Sequence, residues 1–191
     1  MNTNQPWEVL RFKGTGSWDS IAGGDDKAVV DNGTFPYTVK LETGANHNLT
    51  IGSHITIAGT TNYNGTFEVL ASSATRYIYI AHKYIAEDIT TSATFKITLA
   101  PGVPFEFGGF KLHLGGSAAS ADLTINLDAG AGSGVHDTNI YTLAAATISG
   151  ETDVILDWTN SPMPFLHKDD ELDFAYVNTQ TFGLEVLWRR L

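Results

Sequence analysis

The chain contains no cysteine. Disulfides and thiolate-ligated zinc are therefore excluded. Charge is scarce too. Only 17% of residues are charged, against about 25% in ordinary soluble domains. Positive charge is scarcest: 11 Lys and Arg stand against 21 Asp and Glu, for a net charge of −10. The bases are scattered, and only Arg189 and Arg190 are adjacent. No basic stripe can follow a phosphate backbone, so no nucleic-acid partner is expected. An anionic membrane would repel the chain, and no apolar run is long enough to cross one. The start, Met1-Asn2-Thr3-Asn4-Gln5, has neither the basic nor the apolar region of a secretory leader. These absences predict a soluble acidic protein without a membrane partner.

What is present points to an all-β fold. Hydrophobic residues make up 42% of the chain, enough to form a core. Thr, Val, Ile, Phe and Tyr are abundant, and they suit a pleated, half-buried surface. Apolar residues alternate with polar ones at Ile55/Ile57, Phe95/Ile97/Leu99, Phe110/Leu112/Leu114, Leu123/Ile125/Leu127 and Leu172/Phe174/Tyr176. This period of two predicts strands with one buried face. Turn signals separate them: Asp31-Asn32-Gly33, Asn64-Gly65, Gly115-Gly116, Gly130 to Gly134 and Ser149-Gly150. The one helix candidate, Leu143–Ile148, is too short to stand alone.

The chain reads as three parts. Residues 1–27 carry Trp7, Phe12 and Trp18 among glycines. Large aromatics in a loose segment suggest an arm that docks on a neighbour. A flexible terminus, or an edge strand that Trp7–Phe12 supplies to the C-terminal domain, are the other readings. Residues 28–100 predict a small β-barrel of about five strands. Residues 101–104, Pro-Gly-Val-Pro, read as a linker, because two prolines in four residues stop any element. Residues 105–191 predict a β-sandwich of seven or eight strands. Deleting residues 1–27 is expected to abolish docking and leave both β units folded.

Little catalytic chemistry is legible. The six histidines show no metal-pair spacing and no His-Glu-x-x-His motif. There is no Gly-x-Ser-x-Gly elbow, P-loop or dinucleotide fingerprint. Asp128, Asp137, Asp153, Asp157, Asp169, Asp170, Glu171 and Asp173 crowd the last part. Such carboxylates can pair as glycosidase acid and base or hold calcium. No Asp-x-Asp-x-Asp-Gly loop is present, and Asp169–Asp173 reads as an acidic turn that keeps a strand edge wet. The expectation is therefore no catalytic residue, no metal and no cofactor. Asn32, Asn48 and Asn64 open glycosylation sequons, which read as turn and strand residues without a secretory route. Tyr77 and Tyr79 share a strand face. With Asp128, Asp137 and the loop between those two, they are the candidates for binding a ligand.

Two stretches carry a resemblance. His47 to Thr60, followed by Tyr63-Asn64-Gly65-Thr66-Phe67-Glu68-Val69, resembles a small β-barrel module of tailed-bacteriophage structural proteins. In it Gly52 turns the chain into a strand, and Asn64-Gly65 makes a tight hairpin. Phe110–Leu114, Leu123–Asp128, Asp153–Trp158, Lys168–Asn178 and Phe182–Val186 resemble jelly-roll-type virion domains. Asp169-Asp170 departs from the Gly-Asp turn more typical there. The resemblance implies a non-enzymatic virion protein, made in the host bacterial cytoplasm. A capsid decoration or head-associated component is the first expectation. Its partners would be the major capsid protein or other virion proteins, and the family favours a homotrimer. The alternative is a tail, neck or fibre component that binds host glycans or proteins.

Overall fold

The structure, a computed structural model, describes residues 5–191 except 17, 19–20, 23–26, 29, 32–37, 45–46, 48, 74–75, 91–92, 130–135 and 164–165. The turn at 32–33, the loop 130–134, the glycines of 23–24, the sequon of residues 32–34 and Asn48 lie outside the described residues. The protein is all-β. In chain order the strands are β1 (Glu8–Thr15), β2 (Ile21–Ala22), β3 (Lys27–Ala28), β4 (Val30–Asp31), β5 (Thr38–Glu42) and β6 (His54–Ala58). There follow β7 (Gly65–Glu68), β8 (Ala71–Ser73), β9 (Tyr77–Ala81), β10 (Asp88–Ile89), β11 (Thr94–Lys96) and β12 (Thr98–Leu99). The last six are β13 (Phe105–Leu114), β14 (Leu123–Asp128), β15 (Thr138–Leu143), β16 (Asp153–Asp157), β17 (Glu171–Tyr176) and β18 (Thr181–Arg190). One helical turn, α1 (Ala145–Ile148), interrupts them.

The chain divides into two compact units. The first takes residues 1–11, 15–18 and 98–191; the second takes 12–14 and 19–97. The change of unit thus falls between Ile97 and Thr98, ahead of the prolines. Thr98 and Leu99 pair with Asp173 and Leu172, and the Thr98 hydroxyl donates to Asp173 at 2.5 Å. Residues 101–104 therefore join two strands of one unit, β12 and β13.

The first unit is a sandwich of two four-stranded sheets, β1-β18-β13-β16 and β12-β17-β14-β15. Counted within the unit, its strands lie in the orders 1-8-3-6 and 2-7-4-5. The pairs 1·8, 2·7, 3·6 and 4·5 are the rungs of one long antiparallel hairpin. Rolling that hairpin so that successive rungs alternate between layers gives this order, which is the jelly roll. The unit takes its first two strands from outside 105–191, and the second unit is inserted in sequence between them. Burial follows the alternation of β18, where Phe182, Leu184, Val186 and Trp188 point inward. Phe107, Phe110, Tyr141, Trp158 and Phe174 meet edge to face with centroids 5.7–6.4 Å apart, a favourable geometry for aromatic rings.

Among the described residues the second unit holds ten short strands, eight of them within the stretch 28–100 where about five were expected. Its sheets run β4-β5-β9-β8, β2-β11-β6-β7 and β10-β3. None of them closes into a barrel among the described residues. Val39, Leu41, Ile55, Ile57, Tyr63, Ile78, Ile80 and Phe95 belong to its core. The hairpin of β6 and β7 differs from expectation. Ile57 pairs with Gly65, so the connection is the loop 58–64 and not a two-residue turn at Asn64-Gly65. Tyr63 lies in this loop with its ring fully buried. Its hydroxyl donates to the Ile85 carbonyl at 2.6 Å and accepts from the Ile85 N–H at 2.7 Å. The Asn64 side chain closes the loop on Thr60.

Candidate functional site

The three aromatics expected on a docking arm are used inside the chain. Phe12 is buried within the second unit, edge-on to His54. Trp18 is buried within the sandwich against Tyr176 and Phe182. Their apolar area is already out of water, so it is not available to a neighbour. Trp7 is half-buried. The Arg189 guanidinium stacks 4.6 Å from its ring centroid and also pairs with Glu106 at 2.6 Å. On the sheet side the indole rests on Gly108, where an added Cβ would lie 2.4 Å from the ring. Gly108 is the extra residue of a bulge, since the register of β13 on β18 shifts between Phe107 and Gly109. The Gly108-Gly109 pair is the sequence feature that marks this seat, though sequence reasoning passed it over, and the strand order makes β1 the outer strand of its sheet.

The tyrosine pair lies on the outer face of β9. Ile78 and Ile80 point to the core, while Tyr77 and Tyr79 are half-buried. Tyr77 stands opposite Glu42 and Tyr79 opposite Lys40. The Lys40 ammonium sits 3.8 Å over the Tyr77 ring, a cation–π contact that covers that face. Beneath it His47 bridges two segments. Its Nδ1 accepts from the Leu49 N–H at 3.1 Å, and its Nε2 lies 3.2 Å from the Tyr77 carbonyl. An N–H facing Nδ1 leaves the proton on Nε2, which fixes the neutral tautomer. Burial pushes the His47 pKa down.

Asp137 accepts from the Ala129 N–H at 3.0 Å, and Asp128 ends β14. Residues 130–135 of the loop between them lie outside the described residues. The tyrosines and these aspartates belong to different units. Asp170 is buried and accepts from the His167 N–H at 2.7 Å, a structural turn. Asp153 is held below the usual carboxylate range, first by a hydrogen bond from His113 at 2.7 Å and then by Thr152. Hydrogen bonds from Thr159 do the same for Asp157. Among the described residues no three His, Asp or Glu side chains converge to hold a metal ion. Among the described residues no helix is long and apolar enough to cross a membrane.

Sequence reasoning did not place the outer strands of the sheet β1-β18-β13-β16. β16 carries Asp153, Ile155 and Asp157 on its exposed face. β1 carries Val9, Arg11 and Lys13 on its own. The alternation of both strands was visible; which strands stand at an edge depends on pairing. No family model and no curated protein matches this chain.

Proposed function

We propose that this is a non-enzymatic structural protein of a bacteriophage particle, most simply a capsid decoration or head-associated component. The observation that carries the reading is the 1-8-3-6/2-7-4-5 strand order, an architecture recurrent in viral capsid and lectin domains. The phage-like motifs noted in the sequence fall on its strands β13, β14, β16, β17 and β18. Fold alone does not give function, so the motifs and the order support the reading only together. In such a role the protein would bury apolar area against shell subunits and stabilise the shell by mass action. About 1,600 Å² is the usual size of a specific contact. The partners would be the major capsid protein and further copies of this chain, a trimer being the family's preference. The virion would be its location, after synthesis in the bacterial cytoplasm.

The glycan-binding alternative has weaker support. Lys40 occupies the exposed side of Tyr77, the ring a sugar would stack on. Immunogold electron microscopy of particles from the phage that encodes the chain tests both. Label spread over the head is the expected result. Label confined to the tail would replace decoration with host binding, and unlabelled particles would overturn the virion reading.

A further inference from the structure

Asn64-Gly65 is a chemically labile pair. Asn is among the thermolabile residues, because the backbone nitrogen that follows it can attack its carboxamide. A following glycine, with no Cβ, leaves that approach least hindered. The fold nevertheless requires both members. Gly65 has a φ of 137°, a region other residues rarely adopt. Asn64 must donate and accept at once. Its Nδ2 donates to the Thr60 carbonyl at 2.8 Å, while its Oδ1 accepts from the Thr60 N–H at 2.9 Å and the Thr60 hydroxyl at 2.8 Å. A carboxamide can meet both backbone groups of one residue in this way; a carboxylate cannot.

The attacking nitrogen is held as well. Val69 N–H donates to the Ser53 carbonyl. From there the register runs through His54 against Glu68 to Ile57 against Gly65. Antiparallel ladders alternate, so Ile55 with Phe67 and Ile57 with Gly65 are hydrogen-bonded pairs. The Thr56 and Thr66 hydroxyl oxygens lie 2.9 Å apart, which fits the closer side chains of the non-bonded pair between them. Gly65 N–H thus donates to the Ile57 carbonyl. The other side of the clasp is tied down too, because the Thr60 hydroxyl accepts from the Tyr63 N–H at 3.0 Å. Nitrogen and carboxamide meet only if the ladder bond opens and Asn64 swings off Thr60.

We infer that Asn64 is a deamidation site gated by the loop 58–64: the closed loop keeps it unreacted, and each opening exposes it to a one-way reaction. In the open loop the Gly65 nitrogen bonds to Asn64 Cγ and the Cγ–Nδ2 bond breaks. Nδ2 leaves as ammonia, taking the Gly65 proton. Water then opens the succinimide ring at either carbonyl and leaves aspartate or isoaspartate at 64. Nothing is oxidised or reduced. Neither product rebuilds the clasp, because a carboxylate has no N–H for the Thr60 carbonyl and sets oxygen against oxygen. Isoaspartate also adds one carbon to the main chain between the buried Tyr63 and β7. The reaction thus makes permanent an opening that hydrogen bonds alone would reverse. It depends only on this hairpin and not on the virion reading.

Peptide mapping by mass spectrometry tests this on the full chain, incubated in mildly alkaline buffer with and without denaturing urea. Trypsin places Asn64 in the peptide 41–76, apart from the other Asn-Gly pair, Asn32-Gly33, in 28–40. Deamidation at 64 is expected to be slower in the folded chain than in urea by about tenfold or more. The slowing should be at least as large as the hydrogen-exchange protection of the Gly65 amide, since the same bond must open for both. Thr60→Ala removes the hydroxyl that holds Asn64 and the Tyr63 N–H. It should speed the reaction of the folded chain by about two- to tenfold, whereas Thr60→Ser keeps the hydroxyl and should react as wild type does. Circular dichroism reports whether each variant is folded. A folded wild-type chain that deamidates as fast as the unfolded one would overturn the inference. So would a slowing smaller than the Gly65 protection, or a folded Thr60→Ala chain no faster than wild type. Should Thr60→Ala misfold, the wild-type rate against the Gly65 protection decides alone.

Discussion

At the scale of residues, two positions carry sharp expectations. Gly109 has a φ of 117°, and a Cβ there would lie 2.0 Å from the Leu156 carbonyl oxygen. Backbone cannot move aside as a flexible side chain can. Gly109→Ala should therefore destabilise the sandwich by about 2–4 kcal/mol. Urea melts followed by tryptophan fluorescence read this unit by itself, because Trp7, Trp18, Trp158 and Trp188 all belong to it. An unchanged midpoint would contradict the packing described. His47 concerns the other unit. Its folded pKa is lowered by burial, whereas the unfolded value is about 6.5. Between the two values the unfolded chain binds more protons, so stability rises with pH. The contribution is whole above about pH 6.5 and drains away as the pH falls through the folded value. Hydrogen exchange at the Ile78 and Ile80 amides should thus quicken between pH 7.5 and 5.5, beyond the intrinsic change, and His47→Gln should flatten that trend.

At the scale of elements, the loop 58–64 depends on one buried hydroxyl. Tyr63→Phe leaves the Ile85 N–H and carbonyl without their partner. The cost should be about 1–3 kcal/mol to the second unit, seen as faster exchange in β6 and β7 with the tryptophan melt unchanged. Equal protection in both chains would show that the hydroxyl is idle. This loop also marks where local reading stopped. The alternation at Ile55/Ile57, Leu123/Ile125 and Leu172/Phe174 placed β6, β14 and β17, because burial on one face imposes a period of two. Asn64-Gly65 carries the letters of a tight turn, yet the buried Tyr63 one residue earlier belongs to a longer loop. The same holds for Trp7 and Trp18. Their size was legible as a need for burial, but whether their own chain or a neighbour supplies the cover is decided by β18 and β17, more than 150 residues away. The run Phe95 to Leu99 reads as one strand. The structure breaks it at Ile97, because Phe95 pairs with Ile57 and Leu99 with Leu172.

At the scale of the whole molecule, all-β architecture was legible in composition and periodicity, and the sandwich in the strands of its last six. Of its outer strands, β1 was legible only as the edge-strand reading of Trp7–Phe12; β12 and the inserted unit were not, because insertion leaves no local mark in a sequence. The N-terminal segment is thereby recast from a separable arm to structure. Removing residues 1–18 takes away β1 and the Trp18 side chain, and leaves β18 an open edge. The truncated chain should lose the single cooperative transition of Trp158 and Trp188 fluorescence, and a synthetic peptide of residues 5–18 added in trans should restore it. A truncated chain that melts as sharply as the whole would show β1 to be dispensable. The pairing of β1 with β18 also sets a timetable for synthesis. Every residue of the inserted unit has left the ribosome once residue 97 is out. The first strand of the sandwich must wait for the last, which at about 5–20 residues per second arrives roughly 5–20 s later. During that delay β1 is tethered to a neighbour that has had time to fold while its own partner does not yet exist. A nascent β1 left without β18 for so long is the segment that ribosome-associated chaperones would have most reason to hold.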